Sequence, residues 1–284
     1  MASIDESAFK SAMRSQWDFA ASGWDAHTPK IRAWLGPATD TMLGMAGVIP
    51  GSRVLDVAAG TGDQTLAIAQ RVGPHGQVLA TDLSPAVVAL ATHNAVDAGF
   101  GNVQVRVADG EDLQVEAGSF DAAVCRLGLM FFPNPLQGLR EMHRALRPAG
   151  GACTIVFSSP DKNPCVAILI ATALKHAGLP PRDPYSPGSL LSLGRPGHIA
   201  ELFTKAGFRD VATTRIDAPF RLPSVDSYLD FIRSSASPIQ QILDRLSGEA
   251  ADAAWHEIRE RLSAFETPSG WVGPNELLLT AGHR

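Results

Sequence analysis

Short apolar runs alternate with segments of helical periodicity along the middle of the chain. Residues 54–57 read VLDV, a run of strand length, and DQTLAIAQRV from Asp63 carries its apolar residues at helical spacing. The order recurs in QVLATD, which leads to a segment with Ser84 as a helix cap and Pro85 at the first helical position. Strands that alternate with helices in this way predict an α/β protein with a parallel sheet.

Further apolar runs extend the pattern along the rest of the sequence. The additional predicted strands are residues 103–107, 120–125, 152–157, 208–220 and 273–284. Helices are predicted at residues 38–46 and 135–146, and the segment LRPAGG at 146–151 is predicted to be a turn. Two helical insertions that act as a lid are predicted at about residues 160–195 and 224–265.

The first strand ends in a turn of small residues. Its sequence, DVAAGTG, places Asp56 two residues before Ala58, and Gly60 and Gly62 close the turn. Glycine at such a turn lets a ligand touch bare backbone. A dinucleotide site instead has the pattern G-x-G-x-x-G, with its acid on the following strand. An ordinary tight turn between a strand and a helix is the third interpretation.

The pattern D-x-A-x-G-T-G resembles the first motif of the class I S-adenosyl-methionine-dependent methyltransferases, in the branch similar to ubiquinone and menaquinone C-methyltransferases (methyltransferase type 11). That family more often has glycine where Ala58 stands. The resemblance covers roughly residues 17–158 and implies a Rossmann-like sheet of seven mostly parallel strands with helices on both faces. It also implies that the last strand runs antiparallel between the fifth and the sixth. Residues 1–45 are expected to form an N-terminal helical cap, and residues 46–284 the methyltransferase domain.

Three acids stand at the ends of three successive predicted strands, and they are Asp56, Asp82 and Asp109. A carboxylate at the end of the second strand can accept hydrogen bonds from both hydroxyls of a ribose, which is the role predicted for Asp82. The alternative is an acid that forms a salt bridge or caps a helix. The resemblance implies that Asp109 accepts a hydrogen bond from an adenine amino group and that Gly110 contacts the ring. The predicted cofactor is S-adenosyl-L-methionine, with S-adenosyl-L-homocysteine as its product. The predicted cofactor-binding residues are Trp24, Asp56, Ala58, Gly60, Gly62, Asp82, Leu83, Asp109, Gly110 and Arg126.

Aromatic residues cluster before the first strand, and three of the five tryptophans lie in the first 34 residues. Trp24 with Asp25 resembles the aromatic-Asp pair that lies over the cofactor in the same methyltransferases. The alternative is a set of amphipathic helices packed on the rim of the sheet. His27, beside this cap, is the candidate general base.

The loop after the fourth strand, RLGLMFF, bears on the methyl acceptor. It lacks the N/D-P-P-Y/F motif of enzymes that methylate adenine or cytosine, which argues against a nucleobase nitrogen. Met130 and Phe131 suggest an apolar wall for a hydrophobic or aromatic acceptor, although they could also merely cover the sheet. Arg126 is predicted either to bind an acidic group of the methyl acceptor or to form a salt bridge with an acidic residue at the end of the sheet. Trp17 and Tyr185 are the other candidate acceptor-binding residues.

Composition narrows the classes of partner and site. The net charge of −5 argues against nucleic acid, because binding phosphates requires a basic face. The three cysteines are expected to be buried free thiols, and no C-x-x-C or H-E-x-x-H motif supports a metal site. No apolar run approaches the length of a membrane span, and the N-terminus MASIDESAFK lacks a signal-peptide core, which favours the cytoplasm.

Together these features predict an enzyme that transfers a methyl group from S-adenosyl-methionine to a small, partly apolar or aromatic molecule. The acceptor would be quinone-like or a secondary metabolite, methylated at carbon or oxygen. Two other classes remain open, a non-catalytic protein that binds the cofactor as a sensor or accessory subunit and a dinucleotide oxidoreductase. The sequence leaves the identity of the acceptor, the use of a base and the oligomeric state open.

Overall fold

The computed structural model describes residues 5–235, 237–243 and 245–284. Two helices come first, strands and helices then alternate, and a helical segment precedes the last strands. The helices are α1 (Glu6–Ala26), α2 (Thr28–Met45), α3 (Asp63–Val72), α4 (Pro85–Asp97), α5 (Pro135–Ala145), α6 (Pro164–His176), α7 (His198–Ala206), α8 (Val225–Ser235), α9 (Ser237–Leu243) and α10 (Gly248–Leu262). The strands are β1 (Arg53–Val57), β2 (Gln77–Asp82), β3 (Val103–Val107), β4 (Phe120–Arg126), β5 (Leu146–Phe157), β6 (Arg209–Asp217), β7 (Phe220–Leu222), β8 (Glu266–Thr267), β9 (Gly270–Gly273) and β10 (Glu276–His283).

The larger sheet has seven strands in the order β3-β2-β1-β4-β5-β10-β6. Neighbouring strands from β3 to β5 run parallel, whereas β10 is antiparallel to both β5 and β6. This arrangement confirms the predicted Rossmann-like topology. The strand order reverses between β1 and β4, so their carboxyl ends flank the crevice in which open α/β sheets bind ligands.

The central strands are buried on both faces, as their continuous apolar sequences require. Val54 and Leu55 of β1 and residues 122–125 of β4 have no exposed surface. The Ser84 hydroxyl accepts a hydrogen bond from the main chain of α4, and proline follows it at the first helical position. The predicted start of this helix is therefore confirmed.

β5 begins earlier than the sequence predicted, because the segment LRPAGG belongs to the strand. Leu146 pairs with Phe120 and Gly151 pairs with Ala122, so a long stretch of β5 lies opposite a short stretch of β4. Ala149, with φ of 66°, lies in the resulting bulge. The predicted turn is thus a bulge inside the strand, and the preceding helix is one residue shorter than predicted.

Two long helices precede the first strand. The helix predicted at residues 38–46 extends back to Thr28. Asp18 of α1 accepts two hydrogen bonds at the N-terminus of α4. α1 also crosses α8, and Gly23 meets Ser234 there with no room for a side chain. α1 is therefore fixed at two places along its length.

A second sheet, in the order β7-β9-β8, was not predicted. Its strands have three, four and two residues, which is too short for an alternation of apolar and polar residues to be visible. Trp271 of β9 is fully buried, and its indole N–H donates to the Leu262 carbonyl at 2.8 Å. This indole joins the small sheet to the end of α10.

The inserted segments contain helices in the regions where insertions were predicted. α6 lies within residues 160–195 and is followed by an irregular stretch, and α8 to α10 lie within residues 224–265. The boundary between a cap and a domain near residue 46 stays a prediction. Within the described part of the chain, no helix combines the length and hydropathy needed to cross a bilayer.

Candidate active site

A cavity of about 1600 Å³, counted with its opening, lies at the carboxyl ends of the parallel strands. Two parts of its wall differ in composition, and they are called here the loop half and the aromatic half. The loop half comprises Lys10, Ala58, Gly60, Gln64, Asp82, Leu83, Asp109, Gly110, Glu111 and Arg126. The aromatic half comprises Trp34, Phe157, Val166, Leu169, Leu190, Phe220, Tyr228, Phe231, Ile232 and Asn275. Within the described part of the chain, every charged residue that borders the cavity belongs to the loop half.

The glycine-rich turn after β1 borders the cavity through Ala58 and Gly60. Both residues have a left-handed backbone, with φ of 54° and 60° respectively. A non-glycine residue in this region costs about 1–2 kcal/mol. The Ala58 methyl group points at Gly128, where an added Cβ would overlap it. Gly128 itself has φ −95° and ψ −41°, which any residue can adopt, so space and not backbone conformation explains this glycine.

Asp82 ends β2 at the edge of the cavity. Its Oδ2 accepts a hydrogen bond from the Gly60 amide and its Oδ1 one from the Ser84 amide, both at 3.0 Å. Burial raises the pKa of this carboxyl, and the amide hydrogen bonds limit the rise. Each carboxylate oxygen has a second lone pair and can accept a further hydrogen bond. The geometry thus accommodates a ribose, and the ribose-binding role stays a prediction.

Two residues predicted to contact a cofactor lie behind the cavity wall. Asp56 is fully buried and accepts hydrogen bonds from Thr65 Oγ1, at 2.7 Å, and from the Gln64 side-chain amide. Gly62 packs against α4, where an added Cβ would lie 3.3 Å from Ala91 Cα. Asp56 and Gly62 therefore shape the turn and the start of α3 and do not border the cavity.

Asp56 is expected to make stability depend on pH. Burial raises the pKa of its carboxyl from 3.8 to about 7. Between these values the native state holds a proton that the unfolded chain has released, so stability falls as pH rises through this window, with a slope of at most about 1.4 kcal/mol per pH unit. Asp56→Asn should remove this slope. Its new amide group can donate to Gln64 Oε1, which has no partner among the described residues.

The measurement is urea unfolding of the wild-type protein and Asp56→Asn at pH 5 and pH 8. The wild-type protein should lose more stability between the two than the variant does. Asp40→Asn, at an exposed position on α2, is the matched control and should behave as the wild type does. Equal losses in Asp56→Asn and the wild type would show that Asp56 is already ionised at pH 5.

An ion-pair cluster at the end of β3 includes a residue that the sequence analysis missed. Lys10 Nζ lies 2.7 Å from Asp109 Oδ2 and 2.6 Å from Glu111 Oε2. The Phe132 ring fills the space that a Cβ on Gly110 would need. An amino group that binds Asp109 must therefore share this carboxylate with Lys10. Nothing in the sequence marks Lys10, since it is one of several polar residues on an amphipathic helix.

Arg126 is held at the end of β4 by two partners. Its Nη1 donates to Thr39 Oγ1 at 2.9 Å, and its Nη2 lies 3.0 Å from Asp63 Oδ2. Arg32 binds the other oxygen of Asp63 at 2.9 Å. Of the two roles predicted for Arg126, this geometry corresponds to pairing with an acid. Arg126 still borders the cavity.

Aromatic side chains of α1 cover the cavity between its two halves. Trp17 meets Trp24 edge to face, with 6.0 Å between ring centroids, and meets Phe131 at 5.5 Å. The Trp24 indole nitrogen faces the glycine-rich turn, 3.8 Å from where a Cβ on Gly60 would lie. Asp25 points elsewhere and accepts a hydrogen bond from α4 at 2.7 Å. The tryptophans thus form a roof, and the acid beside them anchors α1.

Two predicted residues lie away from the cavity. His27 ends α1, where its Nε2 lies 2.8 Å from Ser234 Oγ and its ring packs edge-on against Phe231. Tyr185 packs under the Arg195 guanidinium, at 4.7 Å from its ring centroid. Neither residue borders the cavity, so the geometry supports neither a base at His27 nor an acceptor contact at Tyr185.

The remaining predicted residues all border this one cavity. They are Trp17, Trp24, Ala58, Gly60, Asp82, Leu83, Asp109, Gly110, Arg126, Met130 and Phe131. Their individual roles stay predictions. The structure adds Lys10, Gln64, Trp34, Tyr228 and Asn275, of which only Trp34 had a signal in the sequence, as one of the clustered N-terminal tryptophans.

The methyltransferase domain family matches residues 54–150 of this chain. A ubiquinone/menaquinone biosynthesis C-methyltransferase, UbiE of Teredinibacter turnerae, is 38% identical over 120 residues, which are 42% of this chain and 48% of the relative. The chain thus spans about half the length of the curated relatives that it matches. The matched part carries the glycine-rich turn and most of the loop half.

Solved structures share the fold. The YcgJ protein of Bacillus subtilis has a TM-score of 0.59 at 19% identity, over 88% of this chain and 98% of that chain. A phosphoethanolamine N-methyltransferase 2 of Haemonchus contortus, solved with S-adenosylhomocysteine, has a TM-score of 0.56 at 17% identity, over 92% and 58%. These identities show the fold alone. The family match over residues 54–150 and the shared fold together confirm the resemblance in that part of the chain.

Proposed function

We propose that this chain is an S-adenosyl-methionine-dependent methyltransferase whose acceptor is a small, uncharged and largely apolar molecule, methylated at carbon or oxygen. The observation that carries the proposal is the composition of one cavity. Its loop half presents strand-end carboxylates and bare backbone, and its aromatic half presents no charged side chain. A polar donor and an apolar acceptor can therefore occupy the two halves together.

The loop half fits the donor on two counts. The left-handed backbone at Gly60 leaves the turn open to close approach, and Asp82 keeps lone pairs for two hydroxyl groups. When bound, S-adenosyl-methionine supplies a methyl group activated by a sulfonium charge.

The residues of this chain contribute alignment and exclusion of water. Trp17 and Trp24 roof the cavity, and Phe131 continues the roof toward β4. Holding two reactants in register is worth about 7–11 kcal/mol of the barrier in favourable cases. No histidine borders the cavity within the described part of the chain. Alignment, and not proton removal by a charged side chain, is therefore the contribution that we assign to the aromatic half.

The similarity to UbiE suggests quinone-like acceptors, and we include them in the proposed class. The aromatic half, however, lies outside the matched residues. The acceptor class proposed here therefore rests on the uncharged wall, and the relative's name only suggests where screening for acceptors should begin.

Calorimetric titration tests the proposal. S-adenosyl-methionine and S-adenosyl-homocysteine should bind and NAD should not. Asp82→Asn should weaken binding of S-adenosyl-homocysteine by about 10–100-fold, the size of one or two hydrogen bonds to a charged group. Asp40→Asn is again the matched control and should bind as the wild type does. Saturable binding of NAD alone would refute the proposed function, and full affinity in folded Asp82→Asn would refute the ribose assignment.

A further inference from the structure

The Tyr228 side chain is almost completely buried and has no hydrogen-bond partner. Its exposed fraction is 5%. The ring stacks on Trp271, with centroids 4.3 Å apart, and meets Phe220 edge-on at 5.9 Å. The hydroxyl forms no hydrogen bond with any described residue. Its oxygen is nevertheless not fully enclosed and keeps some free surface. Because Tyr228 borders the cavity, the free hydroxyl surface lies in the cavity.

Asn275 borders the same cavity with a second free polar atom. It is 8% exposed, and its Nδ2 donates to the Gly273 carbonyl at 3.1 Å. Its main-chain oxygen accepts a hydrogen bond from the Ala218 amide at 2.8 Å. Its Oδ1 accepts none from the residues that the structure describes. The side chain is thus fixed by one end and leaves an acceptor for a ligand.

Tyr228 lies at the end of the cavity away from the glycine-rich turn. Asn275 lies near it, because Gly273, whose carbonyl accepts from Asn275 Nδ2, packs on the Trp271 ring that stacks against Tyr228. A row of ring contacts leads from Trp24, beside the turn, to Phe231 at 5.8 Å, then to Phe220 at 5.2 Å and on to Tyr228. The rings of Phe231 and Phe220 therefore lie between Tyr228 and Trp24, which belongs to the roof. Among the residues that the structure describes, the wall around Tyr228 and Asn275 carries no charge.

We propose that Tyr228 and Asn275 together recognise a hydroxyl group on an uncharged, ring-containing acceptor. The Tyr228 O–H donates to the acceptor's oxygen, and the acceptor's O–H donates to Asn275 Oδ1. Both buried polar groups then gain partners. Recognition of the acceptor in this way rests on the proposed function, and it makes both side chains positioning residues.

The hydroxyl held at this end is distinct from the atom that receives the methyl group, because the donor lies in the loop half. Burial holds the pKa of Tyr228 well above its ordinary value, so its hydroxyl remains protonated and can donate. A charged ring compound would lose its hydration in an uncharged wall and is expected to be rejected.

The test uses the full chain, both without S-adenosyl-homocysteine and in an excess of it, and three probes, 1-naphthol, naphthalene and 1-naphthoate, with affinity measured by ligand-observed NMR. The wild-type protein should bind 1-naphthol about three- to tenfold more tightly than naphthalene and should not bind 1-naphthoate. Tyr228→Phe keeps the ring stacked on Trp271 and should bind 1-naphthol and naphthalene equally. Asn275→Ala should also reduce the preference.

The matched control is Tyr185→Phe, at the other tyrosine of the chain, whose ring lies outside the cavity. It should keep the full preference for 1-naphthol. An unchanged preference in Tyr228→Phe would overturn the inference, as would tight binding of 1-naphthoate or no binding of either neutral probe. Failure of S-adenosyl-homocysteine to bind while Tyr228→Phe abolishes the preference would overturn the proposed function alone.

Discussion

Gly23→Ala is expected to separate α1 from α8 and to abolish methyl transfer. A Cβ at this position would overlap the Ser234 carbonyl oxygen and lie 2.6 Å from the carbonyl carbon. Both atoms belong to the main chain of α8, so no side chain can turn away to make room. Overpacking of this kind costs about 1–3 kcal/mol, and here it exceeds the gain of about 1 kcal/mol that alanine brings to a helix interior.

Both walls of the cavity would move with the two helices. Trp24 follows Gly23 directly, and Phe231 lies one turn before Ser234 on α8. The hydrogen bond between His27 and Ser234 at the same crossing would also be strained. The roof and the aromatic half would therefore be displaced relative to each other. Binding of S-adenosyl-homocysteine and turnover should fall together.

Thermal unfolding and titration with S-adenosyl-homocysteine measure this effect. The matched control is Gly44→Ala, in α2, where an added Cβ would lie 3.8 Å from Arg71 Nη2, an ordinary contact distance. That variant should be as stable as the wild type or more stable by about 1 kcal/mol. If Gly23→Ala kept wild-type stability and affinity, the close crossing of α1 and α8 would not exist in solution.

Gly128→Ala should displace the glycine-rich turn, and Ala58→Gly should restore it. The alanine methyl group at position 128 would overlap the methyl group of Ala58, and Cys125 Sγ would lie 3.1 Å away on another side. The single variant should lose about 1–3 kcal/mol of stability and most of its affinity for S-adenosyl-homocysteine. Ala58→Gly removes the opposing methyl group and also relieves a left-handed alanine.

The four proteins of this double-mutant cycle can be compared by urea unfolding and calorimetry. The double variant should lie close to the wild type, with a coupling energy of about 1–3 kcal/mol that marks two residues in direct contact. The remaining contact with Cys125 limits the recovery. Additive losses in the double variant would mean that the two methyl groups do not compete for the same space.

The sequence was sufficient to predict those elements whose structure depends on local sequence alone. Parallel strands buried on both faces have continuous apolar sequences, so β1, β2 and β4 could be predicted, and with them the strand-end positions of Asp82 and Asp109. The short β7 and β8 carry no periodicity, and the bulge at Ala149 resembles an ordinary turn in sequence. Those elements could not be predicted from local patterns.

Only part of the site could be predicted, because local sequence patterns determine the position of some of its residues and not of others. Asp56 lies in the motif, but successive residues of a strand point to opposite faces. The pattern alone does not show whether the Asp56 side chain points to the cavity or to the buried side. Lys10, Tyr228 and Asn275 come to the cavity from segments far apart in sequence, through helix crossings that no local signal encodes. Tyr185 lies in an irregular segment whose path the sequence does not specify.

The two halves of the cavity have separate origins in the chain, and this has an evolutionary consequence. Every residue of the aromatic half lies outside residues 54–150, and every residue of the loop half except Lys10 lies within them. If the proposed function holds, a lineage can change most of the proposed acceptor wall through the flanking segments, although Met130 and Phe131 of that wall lie within residues 54–150. Similarity over residues 54–150 therefore reports mainly on the proposed donor site and only in small part on the acceptor.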